Sequence, residues 1–383
     1  MDTQGIPNSE QHELDLWHMA DALKLAALGQ GRVEPNPMVG CVIARGAELI
    51  AQGYHQRFGG PHAEIEALRI AGDRARGSTV YVTLEPCCHT GKTPPCSEAL
   101  IAARPARVVI ALRDPFPKVA GGGIAALQNA GIQVTTGVRE EEARQLCAPY
   151  LKLVETGRPW VIAKWAMTLD GRIASHTGSS RWITGPASRL VVHMLRARVD
   201  SIMIGSGTAL ADDPMLNVRL EDFESDDEES PHLRELTRIV FDTRCRLSPD
   251  SRLAQTARKH PVLVVVGHDA PAERVDALKA TGVEILSFGD ASRSERIDLL
   301  LDELGRRRMT NLLVEGGSHL LGSLFSAGAI DEFHAFIAPK LIGGRDAPGP
   351  IGDTGIEKMA DALMLTDPKV ERLGPDLYIH GRR

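Results

Sequence analysis

The chain has 383 residues, 43% of them hydrophobic and 25% charged, which is ordinary globular material long enough for two domains. Lys and Arg number 44 against 50 Asp and Glu, a formal charge of −6, so no positive surplus is available for a long polyanion, while a metabolite with one phosphate stays compatible. No run of about 18 apolar residues occurs, and the opening MDTQGIPNSEQHELDLW lacks a basic start and an apolar stretch. The expectation is a cytoplasmic protein with no membrane or nucleic-acid partner. In that reducing compartment the cysteines are expected to be metal ligands or catalytic groups.

From Leu14 the apolar positions Leu16, Ala20, Leu23 and Ala27 recur at helical spacing, and Gly29 and Gly31 close that helix. MVGCVIA and ELIAQGY then read as a hairpin around Arg45, Gly46 and Ala47. HAEIEALRIAG, SEALIAA and GGIAALQNAG read as helices alternating with the strands TVYVTLE, ARVVIAL and IQVTTGV, an α/β pattern. Gly and Pro interrupt it at residues 154–160, the expected seam between domains. Beyond the seam VIAKWAM, SIMIGS, LTRIVFD, PVLVVVG and NLLVEGG are strand-like, with helices PASRLVVHMLRARV and SERIDLLLDELGRR between them. The acidic segment at 221–231 reads as a solvated loop. No GxGxxG follows an early strand, so the common dinucleotide fingerprint is absent.

The stretch LEPCCHTGKTPPC puts three of the six cysteines and one histidine into thirteen residues. Catalytic zinc takes three protein ligands from thiolate and imidazole and keeps a fourth position for water. Cys87, at the end of a strand, and Cys96, at the start of a helix, are the expected thiolates. His62 is the expected imidazole, with Glu64 two residues on where a helix begins. A fourth donor from Cys88 or His89 would close the site into a structural zinc, but a structural site has no use for Glu64.

The same residues match the H-x-E…P-C-x-x-C pattern of zinc-dependent nucleobase deaminases, with eight residues between the cysteines instead of two. In this longer form, and with EPNPMVGCVI and PHAEIEAL, the sequence resembles the deaminase half of the bifunctional riboflavin-biosynthesis deaminase-reductases. The resemblance implies a cytidine-deaminase-like three-layer αβα domain over residues 10–155, with one Zn²⁺ per chain on His62, Cys87 and Cys96. It makes Glu64 the proton-transfer residue and brings Asn36, His89 and Lys92 to a small phosphorylated pyrimidine. By residue type alone, Asn36 is equally a turn residue before Pro37 and Lys92 a solvated lysine. A tRNA-type adenosine deaminase with an accessory nucleotide-binding domain would share HAE but bring shorter cysteine spacing and a basic surface.

From Trp160 onward KWAMTLDGRIA, SSRWITG, HMLRARVDSIMIGSGTALADDPMLNVR, LLVEGGSHLLGSLF and APKLIGG are similar to the reductase half of that family. The resemblance implies a dihydrofolate-reductase-like α/β domain over residues 160–383 that takes NADPH. Two glycine turns fit a pyrophosphate, Gly316 and Gly317 between a strand and a helix, and GSGT at 205–208 after another strand. By correspondence Ala166, Trp182, Thr208, Asp212, Thr243, Gly317, Ser318, His319, Leu320, Leu321, Gly322 and Ser323 would contact the coenzyme. Ser180, Arg196, Leu216, Arg219 and Glu315 would meet the substrate, while Trp182 reads equally as a core aromatic and Arg196 as a surface cation. Lys164 and Asp212 are the candidates by type for the proton that accompanies hydride. The implied function is hydrolytic deamination of 2,5-diamino-6-(5-phosphoribosylamino)pyrimidin-4-one, then NADPH-dependent reduction of its ribosyl group to ribityl, by a homo-oligomer.

Overall fold

Nearly unbroken burial along the central strands dictates the layering, since both faces of each sheet must be covered. In the computed structural model, which describes residues 9–89, 94–219 and 235–383, the chain divides into two units, Met1–Gly157 and Arg158–Arg383. Lys92 and the acidic segment at 221–231 lie outside the described residues.

The first unit runs α1 (Ser9–Ala27), β1 (Gly40–Arg45), β2 (Glu48–Tyr54), α2 (Ala63–Ala71), β3 (Thr79–Leu84), α3 (Cys96–Ala103), β4 (Arg107–Leu112), α4 (Gly122–Asn129), β5 (Gln133–Thr136) and α5 (Glu140–Thr156). Its sheet has the order β2-β1-β3-β4-β5, antiparallel around β1 and parallel from β3 to β5. Cys41, Ile43, Val80 and Val82 point to one face, where Ala67, Leu100 and Leu127 of α2, α3 and α4 cover them. Val42, Ala44, Tyr81 and Val109 point to the other, against Met19 and Ala22 of α1 and Cys147 and Leu151 of α5. Successive side chains alternate between two helix-covered faces, which makes this a three-layer αβα unit. At Gly40 a Cβ would fall 2.0 Å from the Ala22 carbonyl oxygen, so only glycine lets α1 rest this close to β1. Asp15 of α1 is buried because Arg107 grips both its oxygens, at 2.8 and 2.7 Å, and Tyr81 donates to it at 3.0 Å.

The second unit contains β6 (Trp160–Thr168), α6 (Pro186–Ala197), β7 (Ser201–Gly205), α7 (Ser206–Asp212), β8 (Thr237–Phe241), α8 (Arg252–Gln255), β9 (Val262–Val266), α9 (Ala272–Ala280), β10 (Glu284–Ser287), α10 (Arg293–Arg306), β11 (Asn311–Val314), α11 (Ser318–Ser326), β12 (Glu332–Ala338), β13 (Thr366–Leu373) and β14 (Asp376–Arg382). The sheet order is β10-β9-β8-β7-β11-β6-β12-β14-β13, parallel from β10 to β12. After β7 the chain moves outward to β8, and after β11 it moves the opposite way to β12. The β7/β11 boundary is therefore a switch point, the place where open α/β sheets bind ligands at their carboxyl edge.

Two sequence expectations change. The first helix starts at Ser9, not Leu14. Within residues 154–160, α5 continues to Thr156 and ends where Gly157, at φ 71°, donates to the Leu153 carbonyl, and the division between the units falls after Gly157. GSGT is not a free turn, because α7 already starts at Ser206.

Candidate functional site

In the first unit the chain leaves β3 through Glu85, whose buried carboxylate accepts backbone N–H bonds from Gly121 (3.1 Å), Gly123 (3.1 Å) and Ile124 (3.2 Å). This caps α4 and pins the turn that carries Cys87. At Gly123 a Cβ would sit 2.0 Å from the Pro86 carbonyl oxygen, which fixes the same turn from outside. Cys96 opens α3 and its N–H donates to the Cys87 sulfur at 3.3 Å; His62 is the N-cap of α2. His62 Nδ1 lies 3.2 Å from Cys96 Sγ and 3.6 Å from Cys87 Sγ. The three donor atoms all lie within 4.8 Å of one another.

The thiol of Cys96 hydrogen-bonds Cys87 and holds it well below the ordinary thiol range despite burial, while Cys96, keeping the proton, is pushed up. The Cys87 contact raises His62. Burial pushes the Glu64 carboxyl up, although the neighbouring His62 charge opposes this. Two thiols and an imidazole at this separation are the donor set that tetrahedral zinc takes. Cys88 turns away, its thiol 3.5 Å from the Lys118 carbonyl, and the His89 ring lies 6.0 Å from Phe116. Among the described residues no fourth protein donor joins His62, Cys87 and Cys96, which leaves the position a catalytic site needs. Asn36 reaches the cluster indirectly: its amide Nδ2 is 3.2 Å from His55 Nε2, and the His55 ring packs edge-on against His62 at 5.3 Å. His55 Nδ1 lies 2.8 Å from the Pro61 carbonyl, so that nitrogen carries the proton and Nε2 accepts from Asn36.

In the second unit Glu315 and Gly316 follow β11, Gly205 ends β7 and Thr243 lies two residues past β8, all at the carboxyl edge of the parallel strands. Gly316 has φ 110°, a conformation reserved for glycine, and its carbonyl accepts from Gly205 N–H at 2.8 Å, so the two glycine turns adjoin. A Cβ on Gly317 would stand 3.0 Å from Thr208 Oγ1. The space that a side chain would fill is open to a phosphate at the N-terminus of α11, and the residues present fit a dinucleotide. Leu320 and Leu321 bury their side chains in the core, as does Leu216, so only their backbones can meet a ligand. Trp182 is 65% exposed, which removes the core-aromatic alternative, and Arg189 lies over its ring at 4.7 Å.

Arg196 is not a surface cation. Its guanidinium grips Glu315 through two bonds of 2.6 and 2.8 Å and also donates to the Asn217 carbonyl at 3.0 Å. Lys164 Nζ is 3.5 Å from the same carboxylate. Burial alone would raise Glu315, but the charges of Arg196 and then Lys164 outweigh it and hold the group at about 2. The Asp212 carboxylate lies 3.6 Å from Arg181, which also donates to the Asp212 backbone carbonyl at 2.9 Å. Ser180 precedes that arginine. Arg219 is anchored by its N–H to His193 Nδ1 at 3.1 Å, and the Thr243 carbonyl accepts from Gly267 at 2.8 Å. Sequence reasoning missed Glu85, although it directly precedes the Pro-Cys step, and His55, for which the sequence carries no signal.

Residues 12–112 match the cytidine and deoxycytidylate deaminase zinc-binding region, and residues 159–379 match the RibD C-terminal domain. Fold and site together define a zinc deaminase unit followed by a reductase unit, each α/β, and His62, Cys87 and Cys96 form the zinc site. The riboflavin biosynthesis protein RibD of Escherichia coli is 42% identical over 96% of this chain and 98% of its own length, and that of Aquifex aeolicus 38% identical over 97% and 99%. Among solved structures, RibD of Acinetobacter baumannii superposes with a TM-score of 0.85 at 36% identity, over 97% of this chain and 99% of that one. The diaminohydroxyphosphoribosylaminopyrimidine deaminase/5-amino-6-(5-phosphoribosylamino)uracil reductase of Thermotoga maritima superposes with a TM-score of 0.81 at 33% identity, over 97% and 99%. The chain belongs to the bifunctional deaminase-reductase family of riboflavin biosynthesis.

Proposed function

We propose that the first unit hydrolytically deaminates 2,5-diamino-6-(5-phosphoribosylamino)pyrimidin-4-one, and that the second reduces the ribosyl group of the product to ribityl with NADPH. The observation that carries the reading is the juxtaposition of His62, Cys87 and Cys96 within 4.8 Å, with Glu64 buried two residues from His62. Zinc on these three residues supplies a water acidified from about 15.7 toward about 7. Glu64 takes the proton from water and delivers protons to the ring nitrogen and to the departing ammonia, a role typically worth about 10²–10⁴ in rate. Because Asn36 donates its N–H to His55, its carbonyl oxygen is left to accept from the pyrimidine. His89 and Lys92 are assigned to the substrate phosphate.

In the second unit Gly317 to Ser323 are assigned to the coenzyme pyrophosphate through backbone N–H groups, with Trp182 beside the nicotinamide and Thr208 and Thr243 further along the edge. NADPH held there would supply a hydride for C1′ of the opened ribose, and the accompanying proton goes to the sugar-derived imine or oxygen. Of the two candidates for the accompanying proton, Lys164 stands 3.5 Å from the buried Glu315 whereas the Asp212 carboxylate is 36% exposed and 3.6 Å from Arg181, which favours Lys164. Arg219 is assigned to the substrate phosphate, and Arg196 grips Glu315. We read a cytoplasmic enzyme; among the described residues no helix is long and apolar enough to cross a membrane.

The test is incubation with the pyrimidine, with and without NADPH, following ammonia release and coenzyme oxidation separately. Ammonia should appear without NADPH, and coenzyme oxidation should follow deamination. Oxidation with no prior ammonia release would overturn the order of steps.

A further inference from the structure

NADPH and NADH differ by one phosphate on the adenosine ribose, so a site that prefers the first needs a cation there, whereas an NAD site offers a carboxylate to the free hydroxyl. Sheet order says where that ribose falls. Lys164 and Ala166 lie on β6, the two glycine turns follow β7 and β11, and β8 is the next strand outward from β7. With strands about 4.8 Å apart, a coenzyme whose reacting end is at β6 and whose pyrophosphate is at the β7/β11 boundary carries its adenosine to the end of β8.

The end of β8 is arranged for a phosphate and against a hydroxyl. Asp242, the acidic residue that follows the strand, is fully buried, and its Oδ2 accepts the backbone N–H groups of Arg246 and Leu247 (2.8 Å for Leu247), so it cannot reach a ribose. The tight turn it holds passes through Cys245 at φ 51° and sends Arg246 back toward β7. There the guanidinium donates from Nη2 to Ser206 Oγ at 2.6 Å, within the GSGT segment, and its Nε lies 3.7 Å from the buried Asp242 Oδ1, while its side chain stays 46% exposed. Arg246 also lines a cavity of about 330 Å³, together with Arg274 and Glu273.

We infer that Arg246 is the residue that recognises the 2′-phosphate of the coenzyme and sets the preference for NADPH over NADH. It bridges the second glycine turn and the outer cavity and offers a planar set of donors suited to phosphate. The inference rests on the reading of this unit as NADPH-dependent.

Isothermal titration of the full chain with NADPH, NADH, 2′,5′-ADP and 5′-ADP tests it without turnover. The wild type should prefer NADPH and 2′,5′-ADP. Arg246→Gln should weaken both by about 10- to 100-fold, the range of a charge-assisted contact, and leave NADH and 5′-ADP unchanged. Arg246→Lys should recover part of the loss. If Arg246→Gln binds NADPH with the wild-type preference, or if the preference collapses only in Arg244→Gln, the assignment to Arg246 is overturned while the NADPH reading stands. Failure of the wild type to bind either dinucleotide would remove both.

Discussion

The zinc site and the reductase crevice use the same architectural element, the end of a parallel strand, and differ in how far along the chain their parts come from. His62, Cys87 and Cys96 lie on three successive elements and need only one another. The crevice joins Lys164 to Glu315 and Arg196 to Glu315 across more than a hundred residues, so its charges are committed to each other before a ligand arrives. A local site can be read from residue types at short spacing; a long-range one hides which cation faces substrate and which faces a carboxylate.

The largest expected effect breaks the local site. Cys87→Ser or His62→Ala should lose zinc, by metal analysis, and all ammonia release, whereas Cys88→Ser should keep both because its thiol faces the Lys118 carbonyl. Glu64→Gln should keep zinc and fold but lose about 10²–10⁴ of the deamination rate. Retention of metal in Cys87→Ser with its loss in Cys88→Ser would reverse the ligand assignment.

Next in size is the long-range pair. Removing one partner from a buried ion pair leaves an uncompensated charge and costs about 3–5 kcal/mol, so Arg196→Ala should lower the unfolding midpoint of the reductase unit in denaturant, with no change at the zinc site. An unchanged midpoint would mean that Arg196 is free to serve a phosphate. The smallest effect concerns Glu332. Burial alone would raise it, but the hydrogen bond from His334 and the charges of Arg198 and Arg382 bring it to about 2, against an ordinary 4.5. A depressed carboxyl stabilises the fold above its ordinary pKa and loses that contribution as pH falls toward the folded value. The thermal margin of wild type over Glu332→Gln should therefore be full near pH 6 and shrink between pH 4.5 and about 2; a margin independent of pH would show that the pair is not the cause.

The α/β alternation, the donor triad and the glycine turn at Gly316 and Gly317 were legible because apolar runs and residue type carry them, whereas the three-layer αβα arrangement came with the family resemblance. Helix α5 was not, since Pro149 interrupts it and only Ala143, Cys147 and Leu151 form its buried stripe. Strand β12 escaped because it buries His334, satisfied by Glu332 at 2.7 Å and by Tyr378 of β14, in place of an apolar residue. β13 keeps nearly every residue exposed and so shows no alternation at all. Glu85 was invisible for another reason: its partners are backbone N–H groups of α4, which no side-chain pattern announces.

The central claim is that two sites with separate cofactors do separate chemistry. It is tested by measuring both half-reactions, ammonia release and oxidation of NADPH with the already deaminated pyrimidine, on Glu64→Gln and on Gly317→Val, with circular dichroism confirming the fold. Valine at 317 would crowd Thr208, 3.0 Å from its Cβ, and cover the N-terminus of α11 proposed for the coenzyme phosphate. Glu64→Gln should still oxidise NADPH and Gly317→Val should still release ammonia, each losing only its own reaction. Loss of both reactions from either substitution in folded protein would contradict it.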